Sequence, residues 1–352
     1  MDIFVTETVA QVLEERPGLQ RLRLSDDSKA YVLTNLLPAA AVGDQVVVNV
    51  SAVGLGLGTG GWHVVHWNLS HRRVTRPVDG HVMKMRYTSL QVPLLMAEET
   101  YPEPTEDLQH RLSGRVVLVA GLHSQIGVSA IVMKSLDPSL RLGYVMTDGA
   151  ALPVAFSDLV YNLRSNGLLD VVVSSGHAFG GDREAVNVIS GVAAAFELDR
   201  CDVVLVGMGP GVVGTGTVLG NSTIEVAEIV NSLTPLGCRT VVTLRASDVD
   251  ARPRHTGISH HSLTSLTMVN IPQTIAIPDT ADPDDENSVE ATGHLVRRVN
   301  VESALNILEN SSLTPSSMGR GLNEDRKFYA FTAATAIDAI NIWRRASKVE
   351  DS

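Results

Sequence analysis

Cysteine is nearly absent: Cys201 and Cys238 are the only two in 352 residues. Both fall at the starts of apolar runs that read as buried strands. This excludes a disulfide framework, fits a reducing cytoplasm and argues against either thiol as a nucleophile. Aromatics are scarce at 4%, so the core must be built from Val, Leu, Ile and Ala. Basic residues are outnumbered, 28 Lys and Arg against 39 Asp and Glu, and the net charge of −11 excludes general nucleic-acid or anionic-membrane binding. No apolar run reaches the ~18 residues of a spanning helix. The start, MDIFVTETVAQVLEERPG, has neither the basic segment nor the long apolar run of a secretory signal. The expectation is a cytoplasmic protein that takes a small anionic ligand and binds neither nucleic acid nor membrane.

What is present divides by period. With 44% apolar and 19% charged residues, the chain has enough for one large α/β domain and a smaller one. From Ile3 to Leu69 the pattern has period two, with strands expected at Ile3–Leu13, Leu19–Leu24, Ala30–Thr34, Gln45–Val53 and Trp62–Leu69. Five short strands in residues 1–69 predict a small antiparallel β-barrel resembling OB or SH3-like barrels. The Gly54–Gly61 run reads as a hairpin connection. Residues 70–113 read as a connector, basic at His71, Arg72, Arg73, Arg76, Lys84 and Arg86, and extended at Tyr101-Pro102-Glu103-Pro104. Within it, Gly80–Thr88 mixes polar and apolar residues too tightly for a simple tether.

From residue 114 to 352 apolar runs alternate with helical patterns. The runs are Val116–Ala120, Leu142–Met146, Leu169–Ser174, Val203–Val206, Thr240–Leu244 and Gln273–Ile277. Helices are expected at Ser124–Ser135, Pro153–Asn166, Arg183–Glu197, Thr223–Leu233 and Ser262–Val269. Runs without polar alternation are covered on both faces, so the prediction is an α/β, doubly wound, mostly parallel, Rossmann-like sheet of about six strands. A helix over Glu324–Lys348 carries the stripe Phe328, Phe331, Ala339, Ile342 and Trp343, broken by Thr335, and packs on this domain or on a second subunit of a homo-oligomer. The acidic stretch Asp279–Glu290 reads as an exposed loop into a helix.

In an open parallel sheet the ligand crevice lies outside the carboxyl ends of the strands, so the residues just past each run collect at one rim. They include His123, Asp148, His177, Asp182 and Arg245, then Arg252, Arg254, His255, His260 and His261. Five of the 11 histidines fall in three of these segments. The grouping places acid/base, cationic and backbone-donor groups together.

The fourth run opens into DVVLVGMGPGVVGTGTVLGNSTIE, with Gly207, Gly209, Gly211, Gly214, Gly216 and Gly220. Gly209 to Gly214 has the spacing G-x-G-x-x-G, and Arg245 stands where a 2′-phosphate partner of NADP would. Thr215 to Asn221 intervene before a capping box expected at Ser222 and Glu225, however, and no Lys follows the glycines as in a P-loop. The loop is therefore read as an anion holder. The N–H groups of Gly209, Gly211, Gly214 and Gly216 and the hydroxyls of Thr215 and Thr217 line it, with Arg245, Arg252 or Arg254 closing over. A glycine-rich crossover that lets two elements pack closely is the structural alternative.

In RHTGISHHS, His255 and one of His260 or His261 are able to meet at a loop-to-helix junction. With His177 and Asp182 they would form a His/carboxylate metal set. No HxH or HExxH spacing supports this, so no metal ligand and no cofactor is assigned, and the histidines are read as general acid/base groups.

The strings GHVMKMRYTSLQ, SGHAFGGDREAVN, VGMGPGVVGTGTVLG, RHTGISHHSLT and SMGRGLNEDRKFY together resemble an uncharacterised bacterial protein family known only as a domain of unknown function. The resemblance covers nearly the whole chain, brings no activity with it, and implies that Arg320 reaches the site. From the residues, the first expectation is a hydrolase or group transferase acting on a small phosphorylated or carboxylated metabolite. His177 with His260 or His261 would move protons, and Asp148 or Asp182 would orient an imidazole. A non-catalytic small-molecule sensor and an NAD(P)-dependent oxidoreductase are the alternatives, since the fold hosts all three.

Overall fold

The structure is a computed structural model that describes residues 1–57, 60–101 and 111–350. The linker expected at Pro102–Pro104 and part of the Gly54–Gly61 run lie outside the described residues. The chain forms two compact units, Met1–Leu95 and Met96–Ser352.

The first unit is a closed barrel of β1 (Phe4–Arg16), β2 (Leu19–Leu24), β3 (Lys29–Leu33), β4 (Gln45–Asn49) and β5 (Trp62–Asn68), in the order β1-β2-β3-β5-β4. β3 and β5 pair parallel, and the other neighbours pair antiparallel. Alternate positions point inward, so Val9, Leu22, Leu24, Ala30, Val32, Val46, Val48 and Val65 fill the interior. Two irregularities in the β1–β2 register, at Val9/Gln11 and Val12/Glu14, bend the long first strand around the barrel. β4 ends before the expected Val53 because Ser51–Gly54 turns into a short helix, α1. A hairpin of β6 (Val82–Lys84) and β7 (Val92–Leu94) belongs to this unit. Of the basic residues there, Arg76 donates to the Thr34 carbonyl at 2.9 Å, while Arg72 and Arg73 are exposed.

The second unit is built on six parallel strands: β8 (Val116–Ala120), β9 (Leu142–Thr147), β10 (Val171–Ser175), β11 (Arg183–Ala185), β12 (Val203–Met208) and β13 (Arg239–Val242). Their spatial order is β11-β10-β9-β12-β8-β13. Helices α2 (His123–Leu136), α3 (Asp158–Ser165), α8 (Glu302–Glu309) and most of α9 (Arg326–Glu350) cover one face, and α4 (Val188–Glu197) and α5 (Glu225–Leu233) cover the other. The strands obey the two-sided rule. Val116, Leu118 and Ala120 enter one cluster while Val117 and Val119 enter the other. Chain order departs from spatial order at β8 and β12, which places the crevice expected of such sheets at their carboxyl ends.

The sixth strand is not the one anticipated. Gln273–Ile277 does form a strand, β16 (Thr274–Pro278), but it pairs with β17 (Leu295–Val299) in a separate two-stranded parallel sheet. Its place in the main sheet goes to β11, inside the helix expected over Arg183–Glu197. Three residues at a sheet edge carry no readable period. The helix itself starts later, where the Asn187 side chain accepts from the Ser190 N–H at 3.0 Å.

Helix α9 packs on the sheet unit. Phe328, Phe331 and Ala339 are buried, and Ile342 and Trp343 pack at the margin. Thr335, which breaks the stripe, is buried because its hydroxyl donates to the Phe331 carbonyl at 3.2 Å. Among the described residues no helix is long and apolar enough to cross a membrane. Both cysteines are free and buried, and burial pushes their thiols up, to about 12 for Cys201 and about 11 for Cys238. Phe331 joins the helix to the core at 1% exposure. Phe331→Ala should cost ~3–5 kcal/mol in urea unfolding with an unchanged denaturant slope, and a loss under 1 kcal/mol would show that α9 is not integral to the core.

Candidate functional site

The loop from Gly209 to Gly220 leaves the end of β12 buried at Gly209 and becomes exposed over Val213–Leu219. Its first part runs over the segment after β9: a Cβ at Gly209 would fall 2.7 Å from the Ala151 carbonyl oxygen, so only glycine fits. Its second part closes on itself. The Thr215 N–H and hydroxyl donate to the Gly220 carbonyl at 2.7 and 3.2 Å, and the Thr217 hydroxyl accepts from the Gly220 N–H at 3.0 Å. Gly216 turns this corner at φ +84°, a conformation that strains any side chain. The two threonine hydroxyls therefore hold the loop's shape instead of facing a ligand. The N–H groups of Gly211, Val212, Gly214 and Gly216 have no hydrogen-bond partner among the described residues.

The glycines of the second part are flanked by the segment after β13. A Cβ at Gly214 would lie 3.3 Å from the His261 ring, and one at Gly216 would lie 3.5 Å from the Arg254 guanidinium. That segment is folded back by a short antiparallel pair, β14 (Ala246–Ser247) and β15 (Gly257–Ile258), leading into α6 (His260–Thr267). The carboxylate of Asp250 braces it. Arg245 donates to it at 2.7 Å, Arg252 donates at 2.9 Å to each of its oxygens, and Arg320 stands 3.7 Å away. Hydrogen bonding by Arg252 outweighs burial and holds Asp250 well below the usual carboxylate range. Arg320 also pairs with Asp325 at 3.1 Å, and Asp325 accepts from the Ser247 hydroxyl at 2.8 Å. Arg320, which the family resemblance singled out, thus stands in the frame around Asp250.

Inside this frame the rings of His255, His260 and His261 face one another with centroids 4.3 to 5.1 Å apart. His255 is fully buried and His261 is 7% exposed. The Ser259 hydroxyl lies 2.7 Å from His255 Nδ1, and the Arg254 Nε–H points at His255 Nε2 from 3.4 Å. The arginine can only donate, so His255 carries its proton on Nδ1 and its lone pair on Nε2. Burial first, then Arg245, lowers His255 to about 3, and burial, then His260 and Arg245, lowers His261 to about 4. Burial, Arg254 and Arg245 lower His260 as well. Buried His260 Nε2 and both ring nitrogens of His261 have no hydrogen-bond partner among the described residues.

A second group stands past β9 and β10. Asp148 accepts the backbone N–H of His177 at 2.9 Å and so fixes the turn after β10. Glu225, expected as a capping-box partner of Ser222, points instead at Gly149, where a Cβ would meet Glu225 Oε2 at 2.9 Å. Asn221 does the capping, accepting from the Thr223 N–H at 3.2 Å. Burial raises Glu225 to about 7, against a weaker lowering by the Thr147 hydroxyl, and nearby Asp148 adds to the rise.

Residues 29–336 match the profile of a family described as "Protein of unknown function (DUF3866)". The chain belongs to the DUF3866 family. Curated proteins offer no match to it. Among solved structures, the apo form of L. casei FPGS aligns over 69% of this chain and 62% of that one, at 12% identity and a TM-score of 0.29. The DUF3866 chain thus spans less than two thirds of that structure's length, and the superposition is too loose to carry a fold across.

The DUF3866 chain brings together Arg245, Arg254, His255, His260, His261, Gly214 and Gly216, with Gly209 and Gly211 at the far end of the same loop. It leaves others apart. His123 is buried behind the rim, its Nδ1 3.2 Å from the Met208 carbonyl and its Nε2 2.7 Å from the Ser157 hydroxyl that caps α3, and burial lowers it to about 4. Asp182 sits at the opposite end of the sheet, accepting the Val172 N–H at 2.8 Å and pairing with Arg164 at 2.9 Å. The loop after β10 runs back down to start β11 in parallel, which carries Asp182 away from the rim. His177 follows β10, four strand positions from β13, or about 19 Å between those strand ends at the usual spacing. The acidic stretch Asp279–Glu290, which ends in helix α7 (Pro283–Glu290), is answered by Lys327 of α9, which lies 2.9 to 3.1 Å from Asp248, Asp282 and Asp285 at the edge of a cavity of about 390 Å³.

Sequence reasoning missed Asp250 as the brace, although its position among Arg245, Arg252 and Arg254 was a signal, and it missed Glu225 as a titrating group. The folded Glu225 holds its proton more tightly than the ordinary value of 4.5 allows. Stability linked to it is therefore present below that value and is lost as pH rises through about 7. Glu225→Gln should remove this loss. Thermal unfolding at about pH 5 and about pH 8 should show a smaller drop for the variant than for wild type, and equal drops would place Glu225 in water.

Proposed function

We propose that the DUF3866 chain is an enzyme, a hydrolase or group transferase, acting on a small phosphorylated or carboxylated metabolite held at this rim. The observation that carries the reading is the apposition of Gly214 and Gly216 to the His261 ring and the Arg254 guanidinium, 3.3 and 3.5 Å from their would-be Cβ positions. The loop offers N–H donors with no internal partner, Arg254 is exposed beside them, and the adjoining imidazoles keep lone pairs at neutral pH. Donors of this kind bind an anion and stabilise charge that develops on it. The anion satisfies an excess of positive charge, since Arg245, Arg252, Arg254 and Arg320 outnumber Asp250 and Asp325 in the same frame. Glu225, raised to about 7 and set against Gly149 just past β9, is a group able to give or take a proton at the same rim.

The nicotinamide alternative finds less support. In a dinucleotide site the helix starts at the second glycine and aims its N-terminus at the pyrophosphate. Here α5 starts at Glu225, far beyond Gly211, and Arg245 is spent on Asp250.

Thermal-shift screening of the full chain with inorganic phosphate, pyrophosphate, phosphorylated metabolites and small carboxylates should find stabilising anions. Arg254→Ala should weaken the best of them by about 10-fold or more, the worth of a charge-assisted hydrogen bond. Turnover of that compound should vanish in His261→Ala. Anion affinity unchanged in Arg254→Ala would remove the assignment of the loop.

A further inference from the structure

We propose that His255, His260 and His261 form a binding site for one divalent ion of the zinc class, with its fourth position open toward the glycine loop. Each ring offers one ligand atom, and these atoms all lie within 4.8 Å of one another. Three nitrogens around a tetrahedral zinc at ordinary bond lengths stand about 3.4 Å apart, so binding would draw the three rings slightly closer together. All three donors are imidazole nitrogens with no carboxylate among them, which suits zinc, nickel, copper or iron and does not suit magnesium or calcium.

Two further observations point to a ligand at this place. His261 is 7% exposed and neither of its ring nitrogens has a partner among the described residues, a costly state for a buried polar ring. The second observation is that the outer partner of one ligand is already in place. The Ser259 hydroxyl, 2.7 Å from His255 Nδ1, leaves Nε2 as the donor atom of that ring, in the way metal-bound histidines are held, and a metal there would replace the long 3.4 Å contact that Nε2 accepts from the Arg254 Nε–H. Three protein ligands leave one position for water or for the anion, as in catalytic rather than structural zinc sites. Gly214, against the His261 ring, puts no side chain of its own on that side.

The arginines around the trio bear on the choice of second ligand. A dication beside Arg245 and Arg254 meets repulsion that an anion bound at the same place offsets, so metal and anion should bind with positive coupling, each raising the affinity of the other by the same factor. This coupling rests on the proposed anion site, whereas the metal site rests on the trio alone.

The experiment is a titration of the full chain, freed of metal with a chelator, with zinc chloride in the presence and absence of inorganic phosphate. Bound metal is read by elemental analysis, and cobalt(II) in place of zinc reports geometry through its visible absorption. The expected result is one zinc per chain at micromolar concentration, an intense tetrahedral cobalt spectrum, and tighter binding with phosphate present. His255→Ala and His261→Ala should each weaken zinc at least 10-fold while keeping the wild-type circular dichroism, and Arg254→Ala should keep zinc but lose the effect of phosphate. Wild-type protein that binds no zinc at micromolar concentration overturns the metal site whatever the variants do. Zinc bound without any effect of phosphate leaves the metal site standing and counts against the anion reading. Phosphate bound without zinc does the reverse.

Discussion

The buried carboxylate of Asp250 is the point on which the rim depends. Arg245 arrives from the end of β13 and Arg252 from the turn that follows, and both close on it within 2.9 Å. An unpaired guanidinium at the depth of Arg245 would be expensive, and so would an unpaired carboxylate at the depth of Asp250; together they are satisfied. The pairing fixes a segment that would otherwise be a loose surface excursion. The Ser259 N–H then bonds the Arg245 carbonyl at 2.8 Å, and Ser262 accepts the Arg245 N–H at 2.9 Å. His255, His260 and His261 are carried inward on this folded strip, toward the glycines of the loop after β12.

The sheet supplies the other half of the arrangement. Because all six strands run parallel, every connection that follows a strand emerges at the same edge, and the order β12-β8-β13 sets the glycine loop and the Arg/His strip on either side of β8. Gly121, Thr223, Arg245, His261 and Ser262 line the narrow crevice that results. The backbone passes through positive φ at Gly211 and Gly216 of the loop and at Gly257 of the strip, positions where glycine costs least. The neutral state of the imidazoles follows from the same geometry: burial penalises a proton, and the guanidiniums nearby penalise it further.

Much of this was legible from residues alone, and the parts that were not share a reason. The strands of both units were readable because their periods, two in the barrel and unbroken apolar runs in the sheet, reflect which faces are covered. β11 was not readable, since three residues at an edge have no period, and the real partner of Thr274–Pro278 could not be told from a sixth sheet strand by pattern. At the site, the clustering of His255, His260, His261, Arg245 and Arg254 past one strand was visible as composition. The assignment of His123, Asp182, Thr215 and Thr217 to a ligand failed because a polar residue near a strand end is equally able to satisfy the fold's own hydrogen bonds. His123 does this with Ser157 and the Met208 carbonyl, Asp182 with the Val172 N–H, and the threonines with Gly220.

What the sequence determined by itself is the architecture and the rim. Local periodicity and glycine placement report burial and backbone shape, and these are properties of neighbours along the chain. Only the tertiary structure decided which rim residues meet. Whether His177 or His261 faces a given loop depends on the order of strands in the sheet, and whether Glu225 caps its helix or points at Gly149 depends on a β-strand end some 80 positions earlier. Those are contacts between distant segments, set by packing, and no local pattern encodes them.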